Sequence, residues 1–268
     1  MSSEELGLLY HSYFSINTTT DSSNLSTGGS DEQENVFLAS NYSSFAANIT
    51  SSPDIEFDST TGRITAKATG TYLLVFIPSI TVAGGVGVTV RINRNGTNEV
   101  ALEGLVAFAS TDPISGTCQR ILDLAAGDYL ELTIAASSTT AIQAQNGTSF
   151  MMLKANGDYA SLAQSGDGNE GAAATEEVIG DQDLAGSGNI VTNLKNITYA
   201  SGTGLLTPAN TRPFLLLATL MATSDKQNKE TTIGIHANGS LIDQAAALIH
   251  KDNDPNEESY GLLKTLTG

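Results

Sequence analysis

The chain is predicted to be all-β, assembled from short antiparallel strands, and three observations predict it. Of 268 residues, 26 are Gly and none is Trp, and Ser, Thr, Asn and Ala are plentiful; that mixture favours strands joined by turns over long helices. Segments such as Asp54-Ile55-Glu56-Phe57-Asp58 and Val86-Gly-Val88-Thr-Val90-Arg-Ile92-Asn93 alternate apolar with polar or small residues, the period-2 pattern of a half-buried strand. The second half of the chain also repeats the element order of the first, which predicts tandem sandwich domains.

The organising stretch runs from Ile55 to Leu153 and centres on Thr65–Phe76. Upstream of it, residues 1–34 divide in two. Leu6-Gly-Leu8-Leu9-Tyr10-His-Ser-Tyr13-Phe14-Ser-Ile16 is a compact apolar and aromatic patch, and Thr18–Glu34 is a polar stretch without periodicity, read as a linker. Two readings of the patch stand: an anchor that docks Leu8, Leu9, Tyr10, Tyr13 and Phe14 on another protein, or a segment that packs back on its own domain.

Val36–Ala39 is expected as the first strand, residues 49–53 as a turn, and Ile55–Asp58 and Arg63–Ala66 as strands flanking a turn at Ser59–Gly62. Tyr72–Ile80 is nearly all apolar and is bounded by Gly70 and Gly84-Gly85. A run of that kind fits one central strand covered on both faces. Val86–Asn93 ends at Asn95-Gly96, a strong hairpin signal, with Glu99–Ala109 as the return strand. Thr111–Gly116 reads as a loop. Gln119–Leu124, Tyr129–Ala135, Ala141–Gln145 and Ser149–Ala155 read as further strands, with a tight turn at Ala125–Asp128. The domain boundaries are therefore 1–34 anchor and linker, 35–155 first domain, 156–176 a Gly-, Asp- and Ala-rich linker, and 177–268 second domain.

In the second domain Phe214–Leu220 corresponds to Tyr72–Phe76, and Thr231–Gly239 to Val88–Gly96. The aromatic residue precedes the hairpin Gly by 24 residues in the first copy and by 25 in the second. Ser259–Gly268 lines up with Cys118–Gly127, so nothing corresponds to Asp128–Ala155. A sheet left in that state exposes long strand edges. The expectation is a truncated second copy, finished either by further chain or by partner strands.

The pattern Phe57-Asp-x-x-x-Gly62-x-Ile64-x-Ala-x-x-x-Gly70-x-Tyr72-x-x-x-Phe76, then Leu124-x-x-Gly127-Asp128-x-Leu130-x-Leu132, then Ser149-Phe150 and a last apolar strand, resembles the C1q/TNF-like jelly roll over residues 36–155. In the second copy Arg212-Pro213-Phe214 replaces Gly70-Thr-Tyr72. The resemblance implies antiparallel strands in two sheets and a homotrimer. It implies Tyr72 in the sandwich core near the threefold axis, and Tyr129 and Phe150 on strands lining the subunit interface. The residues agree on one point. Few long charged side chains occur on Tyr72–Val90 or Tyr129–Ala135, and a surplus apolar face argues for association. The alternative is that these aromatics belong to the core of one chain.

Charge and chemistry exclude several functions. Lys plus Arg number 12 and Asp plus Glu 29, a net charge of −17, which disfavours nucleic acid and anionic membranes as partners. No apolar run is long enough to span a bilayer. The acidic start Met1-Ser-Ser-Glu-Glu is the wrong sign for a secretory signal, so synthesis in a cytoplasm is expected. Cys118, the single cysteine, allows no internal disulfide and reads as a buried thiol. His11, His236 and His250 show no metal-ligand spacing, and no phosphate loop occurs. Asp252–Glu258 is acidic but lacks the spacing of a calcium loop. No catalytic residue, cofactor or metal is expected.

The leading expectation is a non-enzymatic structural virion protein. It would be a trimeric fibre or decoration protein, attached by its N-terminus to a capsid or other virion protein of a bacteriophage and projecting jelly-roll knobs. The alternative is a C1q-like recognition module, extracellular or on a cell surface, binding a host-surface glycan or protein through loops such as Thr111–Gly116.

Overall fold

The computed structural model describes residues 12–23, 25–26, 34–82, 88–98, 110–115, 118–136, 141–155, 158–165, 189–200, 203–209, 214–222, 229–237, 240–249 and 258–266. In chain order the first strands are β1 (Tyr13–Thr18), β2 (Leu25–Ser26), β3 (Glu34–Asn35), β4 (Ala47–Ser51), β5 (Ile55–Asp58), β6 (Arg63–Ala66), β7 (Gly70–Ile77), β8 (Ser79–Val82), β9 (Val88–Arg94) and β10 (Thr97–Asn98). They continue as β11 (Ser110–Ser115), β12 (Cys118–Leu124), β13 (Tyr129–Ala136), β14 (Ala141–Ala144) and β15 (Ser149–Lys154).

Every pairing among these strands is antiparallel. One sheet runs β12-β7-β15-β1-β4 and another β10-β9-β13-β6-β5, with β3 also on β13; a smaller sheet runs β11-β8-β14-β2. The inward residues of the two larger sheets share one core. Phe14, Ile64, Tyr72, Leu74, Phe76, Leu130 and Leu132 within it are fully buried. The architecture is an antiparallel jelly-roll β-sandwich.

Local chemistry accounts for the turns. Asn95 and Gly96 both take positive φ, 54° and 75°, the two-residue geometry that suits the twist of the strands it joins. Gly62 has a φ of 68°, and Asn35 is pressed on it. The Asn35 Nδ2 donates to the carbonyls of Thr61 and Gly62 at 3.2 Å, and a Cβ on Gly62 would lie 2.6 Å from that amide. Only glycine meets both conditions.

Several expectations change. Tyr72–Ile80 is two strands rather than one: β7 ends at Ile77 and β8 starts at Ser79, in different sheets. Pro78 lies between them and has no N–H to continue a ladder. Val36–Ala39 is not a strand. Val36 and Phe37 form a turn after β3 and drop into the core. Residues 47–51 form a strand, β4, where a turn was expected. Thr111–Ser115 belongs to β11, a strand whose register on β8 shifts between Ser110 and Ile114, so a bulge absorbs the residues that read as a loop. Gly116 and Glu99–Ala109 lie outside the described residues.

The N-terminal boundary also moves. Residues 1–34 are not wholly anchor and linker, because β1 sits inside the first sheet between β15 and β4. Phe14 and Ile16 are buried, and the Phe14 ring lies 5.9 Å from that of Phe57 and 6.3 Å from that of Phe150. The patch packs back on its own domain from Tyr13 onward. Leu8, Leu9 and Tyr10 lie outside the described residues. The linker assigned to 156–176 likewise contains a strand.

That strand opens the second half: β16 (Tyr159–Ser165), β17 (Asn189–Lys195), β18 (Ile197–Ala200), β19 (Leu205–Pro208), β20 (Phe214–Ala222), β21 (Lys229–Ala237), β22 (Ser240–Ile249) and β23 (Glu258–Leu266). They pair as four two-stranded ribbons, β16-β17, β18-β19, β20-β23 and β21-β22.

Removing the Phe14 ring should destabilise the sandwich by about 3–5 kcal/mol, the usual cost of a large buried aromatic. Denaturant unfolding of Phe14→Ala checks this. Deleting residues 1–34 should be worse, since it also strips the hydrogen-bonding partner from one edge of β15; circular dichroism melting should show loss of the cooperative transition.

Candidate functional site

The face of the β12-β7-β15-β1-β4 sheet that points away from the core is assembled by register. One row across it reads Ile121, Leu73, Leu153, Tyr13. The next reads Gln119, Val75, Met151, Ser15, Thr50, and the third Ile77, Ser149, Asn17, Asn48. The apolar members are contiguous and no residue of these rows is charged. Tyr13 is 43% exposed and Ile77 38%; Leu73, Ile121 and Met151 are half-buried. The first charged group comes one row further on, where the Thr71 hydroxyl donates to Asp123. On β7 both strand faces are thus apolar, with Tyr72, Leu74 and Phe76 inward and Leu73, Val75 and Ile77 outward. This is why the run had no alternation.

Tyr72 lies in the sandwich core, as the resemblance implies, and the two aromatics expected on interface strands lie in different sheets. Tyr72 is fully buried in the core, its hydroxyl donating to the Ala68 carbonyl at 2.6 Å and Lys154 Nζ standing 5.9 Å from its ring. Phe150 is 1% exposed; the pleat of β15 points it at Phe14, so burial within one chain already accounts for it. Tyr129 is half-buried on β13, in the other sheet, with the Arg63 guanidinium 4.1 Å over its ring. Arg63 Nε donates to Glu131 at 2.9 Å, which holds the cation there. Tyr129 and Phe150 therefore share no face. The outward residues Leu73, Val75, Ile121 and Met151 were not singled out in the sequence, although the doubly apolar run was their signal. Tyr13 lies on this face and Phe14 does not.

Beside Tyr129, Asp128 closes the turn that precedes β13. It accepts from Asn95 Nδ2 at 2.7 Å and from the Ala125 N–H at 2.8 Å, and these bonds hold its carboxyl below its ordinary range, the Asn95 bond most of all. Gly127 supplies the required positive φ of 95°. The contact ties the β9–β10 hairpin to the start of β13, joining residues far apart in sequence.

Chemically reactive groups are few. Cys118 is buried and its thiol is pushed up to about 12 by desolvation; a thiol at that value is not a nucleophile at neutral pH. His236 is exposed; His11 and His250 lie outside the described residues, as does Asp252–Glu257. Among the described residues no three His, Cys, Asp or Glu side chains cluster as a metal site requires, and no helix is long and apolar enough to cross a membrane.

Two measurements follow from this geometry. Cys118 should react with a thiol reagent only as fast as the protein unfolds, which stopped-flow labelling across denaturant would show. The lowered Asp128 carboxyl contributes stability that is complete above the unfolded carboxyl value of about 3.9 and is lost as pH falls through its folded value. Asp128→Asn should therefore flatten the acid limb of a plot of stability against pH, read by urea unfolding between pH 3 and 6.

No family model matches the chain and no curated protein matches its sequence. Solved structures similar to part of it include murine APRIL at pH 8.5, 15% identical over 53% of this chain and 98% of that one, with a TM-score of 0.37. Eiger TNF from S. frugiperda is 15% identical over 62% of this chain and 96% of that one, at 0.33. Rabbit GITRL is 14% identical over 40% and 85%, at 0.30.

Proposed function

We propose that this chain is a non-enzymatic assembly protein whose first jelly-roll unit forms a homotrimer through the outward face of the β12-β7-β15-β1-β4 sheet. The observation that carries the reading is the uncharged apolar face built from Tyr13, Leu73, Ile77, Ile121 and Met151. Its apolar residues run across four strands, exposed at Tyr13 and Ile77, half-buried at Leu73, Ile121 and Met151 and buried at Val75 and Leu153, and apolar surface of this kind marks sites of association. A jelly roll fills its interior with the inward residues, so the exposed and half-buried members of this second apolar face are left available for a partner. A net charge of −17 keeps the rest of the surface solvated.

The assembly we favour is a virion component, a fibre or decoration protein that displays jelly-roll knobs. Attachment then falls to the apolar residues Leu8, Leu9 and Tyr10, since Phe14 is committed to the core and Tyr13 to the association face. Stability without disulfides suits a protein that matures in a reducing compartment, and Cys118 is the single cysteine. A recognition module for a glycan or protein on a cell surface is the second reading, and residues 110–115, now a strand edge, no longer favour it.

Light scattering should give a particle of three 27.8 kDa chains. Met151→Glu and Ile121→Glu should each dissociate it, because a carboxylate buried at an interface without a partner is strongly unfavourable, while leaving the far-ultraviolet dichroism unchanged. A wild-type monomer at micromolar concentration would overturn the trimer. Immunogold labelling of particles from the producing cells separates a virion component from a surface recognition module.

A further inference from the structure

β4 and β5 are the last described strands of the two larger sheets. On β4, Ala47 and Ile49 stand opposite the buried Thr18 and Ile16 of β1. On β5, Phe57 stands opposite the buried Ile64 and packs on the edge of the core. Ala46 and Ala47 are too small to fill the space where the two strands meet the solvent. A cleft of about 590 Å³ remains there, lined by both alanines, by Ile49 and by the rings of Phe45 and Phe57. That volume lies within the roughly 300–1,000 Å³ of small-molecule sites.

The two rings are fixed by their neighbours. Phe45 meets Tyr42 edge-on at 5.1 Å between centroids, and the Tyr42 hydroxyl donates to the Val36 carbonyl at 2.8 Å. Phe57 packs on Phe14 at 5.9 Å. Phe45 and Phe57 stand 6.3 Å apart, tilted by 38°, and both are half-buried. The remaining lining residues, Thr19, Asn48 and Ser59, are polar and neutral. Their side chains make no hydrogen bond to another described residue. No charged residue lines the cleft. Asp58, next to Phe57, falls on the opposite pleat of β5 and accepts from the Thr60 N–H at 2.9 Å and the Thr61 hydroxyl at 2.8 Å.

We propose that this cleft binds a neutral oligosaccharide built of hexoses. A pyranose ring presents a patch of C–H groups on one face and hydroxyls around its edge. The C–H patch suits the negative faces of Phe45 and Phe57. The hydroxyls suit groups that both donate and accept, as Thr19, Asn48 and Ser59 do. Nothing in the lining would pair with a carboxylate, sulfate or phosphate, and a net charge of −17 disfavours an anionic ligand on approach. An apolar peptide would cover the three polar side chains without satisfying them, a cost that a sugar avoids. The inference is independent of how the first unit associates, and a sugar site serves a virion component and a surface recognition module alike.

The test uses the full chain and saturation-transfer NMR, with the protein's aromatic protons irradiated. The neutral probes are maltohexaose, cellohexaose, mannohexaose and galactohexaose. Hexagalacturonate and an uncharged hexapeptide alternating leucine with serine are the contrasts. At least one neutral sugar should receive saturation on its ring C–H protons, and both contrasts should receive none. Phe45→Ala should weaken the binding at least tenfold. Because that ring also packs on Tyr42, hydrogen exchange on the unmutated chain supplies a second measurement. The bound sugar should slow the amides of residues 45–49 and 57–59 at least threefold and leave β12 and β13 unchanged. Met151→Glu should bind the sugar as the unmutated chain does. Failure of every neutral sugar to bind overturns the proposal. So does binding of hexagalacturonate or of the peptide as tight as that of the best sugar, or protection that falls on other residues. Loss of binding in Met151→Glu would also overturn it, by placing the site on the association face.

Discussion

β15 is held between β1 and β7, and the rest of the first unit depends on that double pairing. Its register fixes which residues of three strands share a face. Phe150 stands opposite Phe76 on one side and Ile16 on the other, and Met152 opposite Leu74 and Phe14. All six are buried. Each pairing joins segments far apart in the chain, so its closure entropy is high, and it is repaid only when the aromatic row closes over the second sheet. A slip of one residue would send Phe14, Phe76 and Phe150 outward and bring Tyr13, Val75 and Met151 in. The core therefore sets register, and register in turn sets the outward face. The composition of that outward face is a consequence of how the interior is filled.

Features fixed by short-range chemistry were legible in the sequence. Asn95-Gly96, Gly62 and the Gly127-Asp128 turn each carry their conformational requirement in one or two residues, and each falls where expected. The strands at 55–58, 63–66 and 129–136 are where alternation placed them, and those at 118–124 and 149–154 fall within a residue of the segments read as strands. Long-range decisions were harder to read. β1 reads as a sticky tail because nothing local announces that Phe14 will meet Phe57 and Phe150 across the domain. Ala47–Ser51 has a turn-like composition and becomes a strand only because β1 lies beside it. Pro78 was visible, yet an apolar run on either side of it masked the change of sheet.

The same distinction explains where Tyr129 and Phe150 fall. Tyr129 and Phe150 belong to strands of different sheets, and their fates follow from neighbours rather than identity. Phe150, on the inward pleat of β15, packs against Phe14 in the core of the chain. On β7, by contrast, the lack of alternation was the informative signal. Six consecutive apolar residues, Tyr72–Ile77, cannot all face one interior, because successive side chains point to opposite sides. Three must go outward, and Leu73, Val75 and Ile77 do.

The two halves show what local and long-range order each contribute. Hairpin ribbons such as β5-β6 and β18-β19 need only a suitable turn and a few facing residues, and both halves form them. Joining ribbons into a sandwich needs β13 and β15, whose partners lie far from them in sequence, and an isolated ribbon has too little buried area to be rigid alone. Leu205 and Leu206 display the consequence: their ribbon forms, with the same turn as its counterpart, yet its apolar residues stay at the surface. Open edges of this sort invite indiscriminate pairing between copies.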